Sequence, residues 1–198
     1  MKTTEPIRNK QQIRKLADYF ISRGQLRNHV LFIMGVHTAL RVSDLLRITC
    51  DDVYDFKSEC KCGRGCVSVR ESITITEKKT GKTKTIPLHE NVIAALQRYA
   101  DNDNIRSGAF LFENARTKKA ISRVQVYRII CAATKAVGII ARIACHGLRK
   151  TLGYHSWKDG KLPEIIMKMY NHSSLAITAR YLGITQDDIN AVYLGASY

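Results

Sequence analysis

From Cys66 to Leu88 the apolar residues fall two apart: Val67 and Val69, Ile73 and Ile75, then Ile86 and Leu88 beyond the polar tip Lys78-Lys79-Thr80-Gly81-Lys82-Thr83-Lys84. That spacing puts alternate side chains on one face of a pleated sheet. On either side of this block the apolar residues recur at helical spacing instead. The chain is thereby restricted to a mainly helical body carrying one small antiparallel sheet, for which the pattern predicts three strands.

Ile13, Leu16, Ala17, Phe20 and Ile21 predict an amphipathic helix over 10–23, closed by Gly24. Val30, Leu31, Ile33, Met34 and Leu40 make 27–39 apolar on most sides, as in a buried helix. Ser43 can cap a short helix bearing Leu45, Leu46 and Ile48, which leaves Arg41 in the turn between two helices. Beyond the sheet, helices are expected over 90–101, 122–137 with Ser122 as cap, 147–159, and 163–170 with Pro163 in the first turn. A further helix starts near Ser173 or Ser174 and stops by Gly183, and 185–195 form a terminal helix. No repeat and no linker interrupts this order. The expectation is an α+β, mainly α-helical fold in one domain over residues 1–198, with 1–9 as a flexible arm.

Lysine and arginine number 32 against 17 acids, a formal charge of +15, which points to a polyanionic partner. Nucleic acid is favoured over membrane, because no stretch approaches the roughly 20 apolar residues of a spanning helix. The start, MKTTEPIRNKQQ, is not a signal peptide. Without an export signal the six cysteines are expected to be reduced thiols, in a cytoplasmic protein that associates with the nucleoid. Cys60, Cys62 and Cys66 offer three zinc ligands in SECKCGRGC, but no fourth ligand stands at suitable spacing, although His89 can approach in space. Free thiols, and no metal, are the expectation.

Cutting DNA without metal requires a nucleophile, cations around the phosphate and an acid for the departing oxygen. The sequence holds candidates for each, and each has a plainer explanation beside it. Arg41 fits a buried ion pair, with Asp44 as one partner. Lys79, among other hairpin lysines, fits an edge kept soluble. His146 and Arg149, three apart at a helix start, can face one point, though a solvated helix face explains them too. Arginine matters here because its planar fork binds two phosphate oxygens and never loses its charge. His172 and Tyr181 would lie on opposite faces of one continuous helix, so a break is required, and the serines after His172 provide it. With nine tyrosines in the chain, composition alone does not select Tyr181.

Taken together these pieces resemble the tyrosine recombinase and phage integrase family from about residue 10 to 195. Thr38-Ala39-Leu40-Arg41 is similar to its T-G-x-R turn, Lys79 to its hairpin lysine, His146-Gly147-Leu148-Arg149 to its H-x-x-R, and Asn171-His172-Ser173-Ser174 with Tyr181 to its G-H-S-S…Y. The resemblance implies that Arg41, His146 and Arg149 grip the scissile phosphate, that Lys79 protonates the 5′ oxygen, and that His172 supports both. Tyr181 then forms a 3′-phosphotyrosyl bond, which stores the energy for rejoining, so no cofactor is needed. It further implies double-stranded DNA as partner, a homo-tetramer on two DNA sites that is weakly associated or monomeric without DNA, and an accessory DNA-bending or directionality protein.

Departures from the family pattern fall on positioning: Ala39 and Asn171 stand where glycine is usual, Asp44 where glutamate is frequent, and Lys78 or Lys82 could replace Lys79 after a small register shift. Only about ten residues precede the first helix, so the chain resembles the catalytic half of a clamp, as in short fimbrial-switch invertases. The terminal helix, with Ile189, Val192, Tyr193 and Leu194, is expected to dock on a neighbouring subunit, with folding back in cis as the alternative. Competing readings are a DNA-binding regulator with unused chemistry, a type IB topoisomerase, and a basic helical nucleic-acid-binding module.

Overall fold

The computed structural model describes residues 4–57, 66–102 and 105–195. Its helices are α1 (Lys10–Ser22), α2 (Leu26–His37), α3 (Val42–Leu45), α4 (Cys50–Val53), α5 (Glu90–Asn102), α6 (Arg123–Ala136), α7 (Cys145–Lys158), α8 (Pro163–Tyr170), α9 (Leu175–Leu182) and α10 (Gln186–Gly195). The central element is α2, in which every residue from His29 to Val36 is buried. Helices α1, α5 and α7 pack around it, and Gly35 admits the Leu148 side chain of α7 against the α2 backbone. The expected helix boundaries agree with these elements to within two residues where both exist. Ser122 caps α6 in a capping box with Gln125, and Pro163 opens α8.

The mainly helical α+β fold is therefore present, but its strands are arranged differently from the expectation. Instead of one three-stranded sheet there are two antiparallel pairs, β1 (Tyr54–Lys57) with β2 (Cys66–Val69) and β3 (Ser72–Thr76) with β4 (Thr83–Pro87). Arg70 and Glu71 separate β2 from β3, and among the described residues no ladder joins the two pairs. Strand β1 escaped the sequence pattern because only Tyr54 and Phe56 alternate there. Cys60 and Cys62, and the side chain of Cys66, lie outside the described residues, so the zinc question falls there too. His89 is engaged elsewhere: its Nδ1 accepts from the Asn91 amide and its ring stacks on His37 at 4.7 Å.

The expected flexible arm is a second correction, for residues 4–9. Ile7 is fully buried, its N–H donates to Thr151 Oγ1 at 3.0 Å, and its carbonyl lies 2.9 Å from His155 Nε2. Glu5 N–H donates to the Arg142 carbonyl and Lys150 Nζ to that of Thr4. This segment is a strap along α7. It lies so close that a Cβ at Gly147 would overlap the Glu5 carbonyl oxygen. Burying one isoleucine contributes about 1.5–3 kcal/mol, and satisfied backbone groups accompany it, which explains why a short polar stretch is ordered. Helix α10 is the opposite case, for none of its residues is buried.

Candidate active site

A small core made by Ala39, Ile166, Tyr170 and Leu182, with Leu152, Trp157 and Tyr181 against it, brings the ends of α2, α8 and α9 to one side of α7. Around it stand five of the six residues singled out in the sequence.

Arg41 leaves the turn after α2 as the N-cap of α3, so the cap is two residues earlier than the Ser43 expected. The reversal that aims it depends on Ala39, buried and left-handed at φ 53. A residue with a Cβ there costs roughly 1–2 kcal/mol relative to a right-handed conformation, which is why glycine suits this position in related turns. Arg41 Nη1 donates to Glu77 Oε2 at 2.8 Å, so its acid partner is Glu77 and not Asp44. Asp44, also buried, accepts the Lys78 backbone N–H at 3.0 Å and ties the hairpin to α3.

Arg149 is the largest fully buried side chain, at 1% exposure. Its Nη2 donates to the Tyr170 carbonyl at 2.9 Å, and the guanidinium carbon lies 5.0 Å from the Tyr170 ring centroid and 6.0 Å from that of Tyr181. Tyr170 is locked in return: its hydroxyl donates to the Arg149 carbonyl at 2.8 Å and accepts the Gly153 N–H at 2.9 Å. Arg149 Nε and Nη1 are buried without a hydrogen-bond partner among the described residues. Such donors cost free energy unless an acceptor meets them, and two of them on one guanidinium edge match two oxygens of an anion.

His172 is freed from helix by Asn171, left-handed at φ 56, a conformation asparagine tolerates. Ser174 caps α9, as the spacing requires. The His172 ring stacks on Tyr170 at 5.0 Å and meets Tyr181 edge-on at 4.8 Å, with Nδ1 3.1 Å from Thr178 Oγ1. Burial, aided by the charges of Arg149 and Arg41, pulls its pKa down to about 4. Burial also lowers that of His146, with Arg123, Arg149, Lys150 and Arg41 acting the same way. Both rings are therefore neutral at pH 7.

Tyr181 sits near the end of α9, its hydroxyl 3.5 Å from His146 Nδ1 and its ring 5.3 Å from Lys150 Nζ. Burial raises its pKa, and the positive charges of Arg149 and Arg41 pull it back. The arrangement brings a phenol oxygen, two neutral imidazoles and two guanidinium groups to one side of α7.

Lys79 is the exception: it stands exposed at the hairpin tip, away from this cluster. The lysine that does reach the cluster is Lys84, whose Nζ lies 3.2 Å from Glu77 Oε1 and donates to the Met169 carbonyl at 3.4 Å. Sequence reading missed both Lys84 and Glu77. A signal existed: Glu77 continues the inward period of Ile73 and Ile75, and Lys84 faces Ile75 in register, so both are charges on the apolar face of a hairpin.

Residues 8–187 match the model of the phage integrase family. The chain is 34% identical over 193 residues to the probable integrase/recombinase YoeC of Bacillus subtilis, covering 98% of this chain and 97% of that one. It is 25% identical over 185 residues to tyrosine recombinase XerA of Pyrococcus furiosus, and there it spans 59% of the longer protein. Among solved structures, a XerA recombinase superposes with TM-score 0.74 at 19% identity, covering 100% of this chain and 66% of that one. A post-cleavage complex of XerH recombinase with its difH DNA superposes with TM-score 0.71 at 15% identity, covering 98% and 53%.

Proposed function

Since this chain belongs to the phage integrase family, the tyrosine recombinases, we propose that it cuts and rejoins double-stranded DNA at specific sites through a covalent bond to Tyr181. The observation that carries this reading is the buried edge of Arg149, with Nε and Nη1 unpartnered beneath the Tyr181 ring. Once the Tyr181 ring shifts off that edge, a scissile phosphate there would satisfy both donors and put phosphorus within reach of the phenol oxygen.

In this mechanism Tyr181 Oη attacks phosphorus, and neutral His146, with Nδ1 3.5 Å away, takes the hydroxyl proton. Arg41 and Arg149 stabilise the charge that builds on the non-bridging oxygens. The bond to the 5′ oxygen breaks, and that oxygen takes a proton from Lys79 once the hairpin lies against the duplex. His172 borders both groups. The product is a 3′-phosphotyrosyl bond and a free 5′ hydroxyl, and attack by a 5′ hydroxyl on the phosphotyrosine reverses the step, so rejoining needs no cofactor. The formal charge of +15 supports duplex binding by phosphate neutralisation.

Recombination between two sites requires assembly, for which we propose a homo-tetramer. Helix α10 supports it: Val192, Tyr193 and Leu194 are 73%, 78% and 87% exposed, an apolar set suited to a neighbouring subunit. An accessory DNA-bending protein would then set direction.

The test incubates the protein with labelled nicked duplexes tiled across the flanks of its own gene. A denaturant-resistant adduct with a free 5′ hydroxyl is expected, and Tyr181→Phe should form none while binding the same DNA. Salt-sensitive binding without any adduct would overturn the assignment.

A further inference from the structure

Glu77 is fully buried at the base of the hairpin, and three parts of the site converge on it. Arg41 Nη1 and Thr80 Oγ1 both donate to Oε2, at 2.8 and 2.9 Å. On the other side, Oε1 faces Lys84 Nζ at 3.2 Å, and the Asn171 side chain, which precedes His172, helps to keep the carboxylate ionised. Lys84 continues the chain of contacts to the Met169 carbonyl at the end of α8. One carboxylate therefore joins the turn carrying Arg41, the hairpin carrying Lys79, and the turn carrying His172. Burial alone would push its pKa up, but the bonds from Arg41 and Thr80, with Asn171 and the charge of Lys84, hold it down at about 2, so it stays ionised.

A group so enclosed does not act on the DNA directly. It competes for nothing that the phosphate needs, because a guanidinium committed through Nη1 still presents its remaining N–H donors. We propose that Glu77 is a positioning residue for DNA cleavage: its buried carboxylate fixes the Arg41 fork toward the scissile phosphate. The proposal rests on the strand-cleavage reading above. Lys84 serves as the second counter-charge that keeps this acid inside the hairpin.

The experiment compares wild type with Glu77→Gln, which keeps the shape and removes the charge, on nicked duplexes at saturating protein. The rate of adduct formation should fall about 10²-fold, as expected for a misplaced catalytic fork, while duplex affinity is unchanged or higher because a negative charge is gone. The same variants are run on a duplex whose 5′ bridging oxygen is replaced by sulfur, a leaving group that needs no proton. Glu77→Gln should remain slow there, since the loss lies in charge stabilisation, whereas Lys79→Ala should recover. Cleavage within twofold of wild type, or recovery of Glu77→Gln on the sulfur duplex, would overturn the proposal. If Glu77→Gln does not fold, the double variant Glu77→Gln/Lys84→Met removes the stranded cation and enters the same assay. Should wild type itself form no adduct, the cleavage reading falls, and Glu77 is judged on the free protein. There the guanidinium nitrogen–proton resonances of Arg41, assigned through Arg41→Lys, should be restrained in wild type and averaged in Glu77→Gln, and identical resonances would refute the positioning role.

Discussion

Arg149 and Tyr181 lie 6.0 Å apart, guanidinium carbon to ring centroid, yet they are held very differently. Arg149 is 1% exposed and closed into a reciprocal set of bonds with Tyr170, whose hydroxyl reaches both the Arg149 carbonyl and the Gly153 amide. Tyr181 rests on ring contacts and one hydrogen bond at 3.5 Å, on an eight-residue helix followed by α10, which buries nothing. In the proposed reaction the cations would be set before DNA arrives, and the nucleophile would be left adjustable. Preorganised charge is most effective where it need not rearrange during reaction, while a nucleophile that forms and breaks a covalent bond gains from local freedom.

Three variants would break or sharpen this contrast. The largest effect is expected from Arg149→Lys, which keeps the charge but loses the fork: adduct formation should fall about 10²–10³-fold. The Tyr170 carbonyl would also lose its donor, at a cost of about 1–3 kcal/mol in urea unfolding. A cleavage rate near that of wild type would show the cationic half to be as tolerant as the tyrosine half. Next comes Gly153→Ala, whose added Cβ would overlap the Tyr170 hydroxyl. Destabilisation of about 1–3 kcal/mol is expected, and an unchanged unfolding midpoint would mean that Tyr170 is not locked.

The smallest effect concerns His172, at the seam between the halves. Its folded pKa of about 4 lies below the ordinary 6.5, so between these values the unfolded chain binds more protons. The stability it contributes is present above pH 6.5 and lost as pH falls through 4. His37, also held near 4 by burial and by His89, adds a slope of the same sign. The urea midpoint should drop from pH 7 to pH 5, and His172→Gln should reduce that drop without removing it. An equal drop in the variant would place the titration elsewhere.

How far the site could be read in advance depended on the kind of information each residue carries. Arg41, His146, Arg149, His172 and Tyr181 were legible together, through their order and spacing and the family these resemble, whereas taken singly each had a plainer explanation. The αL positions of Ala39 and Asn171 were legible as departures from glycine. Glu77 and Lys84 were not, although Glu77, just past the end of β3, continues its inward period and Lys84 faces Ile75 from β4, because the hairpin was read as a carrier of Lys79 and its lysines as solubilising. The strap at residues 4–9 was illegible for another reason: Ile7 stands alone in a polar stretch, and only the tertiary surface of α7 gives it a place.

That strap has a practical consequence for anything joined ahead of it. Arg8 donates to the Gly183 carbonyl at the end of α9, and its guanidinium lies 5.2 Å from the Tyr154 ring centroid on α7. Residues 5–8 thus span the helix of His146 and Arg149 and the end of the helix of Tyr181. An affinity tag, a fluorescent fusion or a transplanted DNA-reading module attached before Thr4 would pull on both helices through the same four residues. A spacer there would act as mechanical insulation, and its length becomes a design variable.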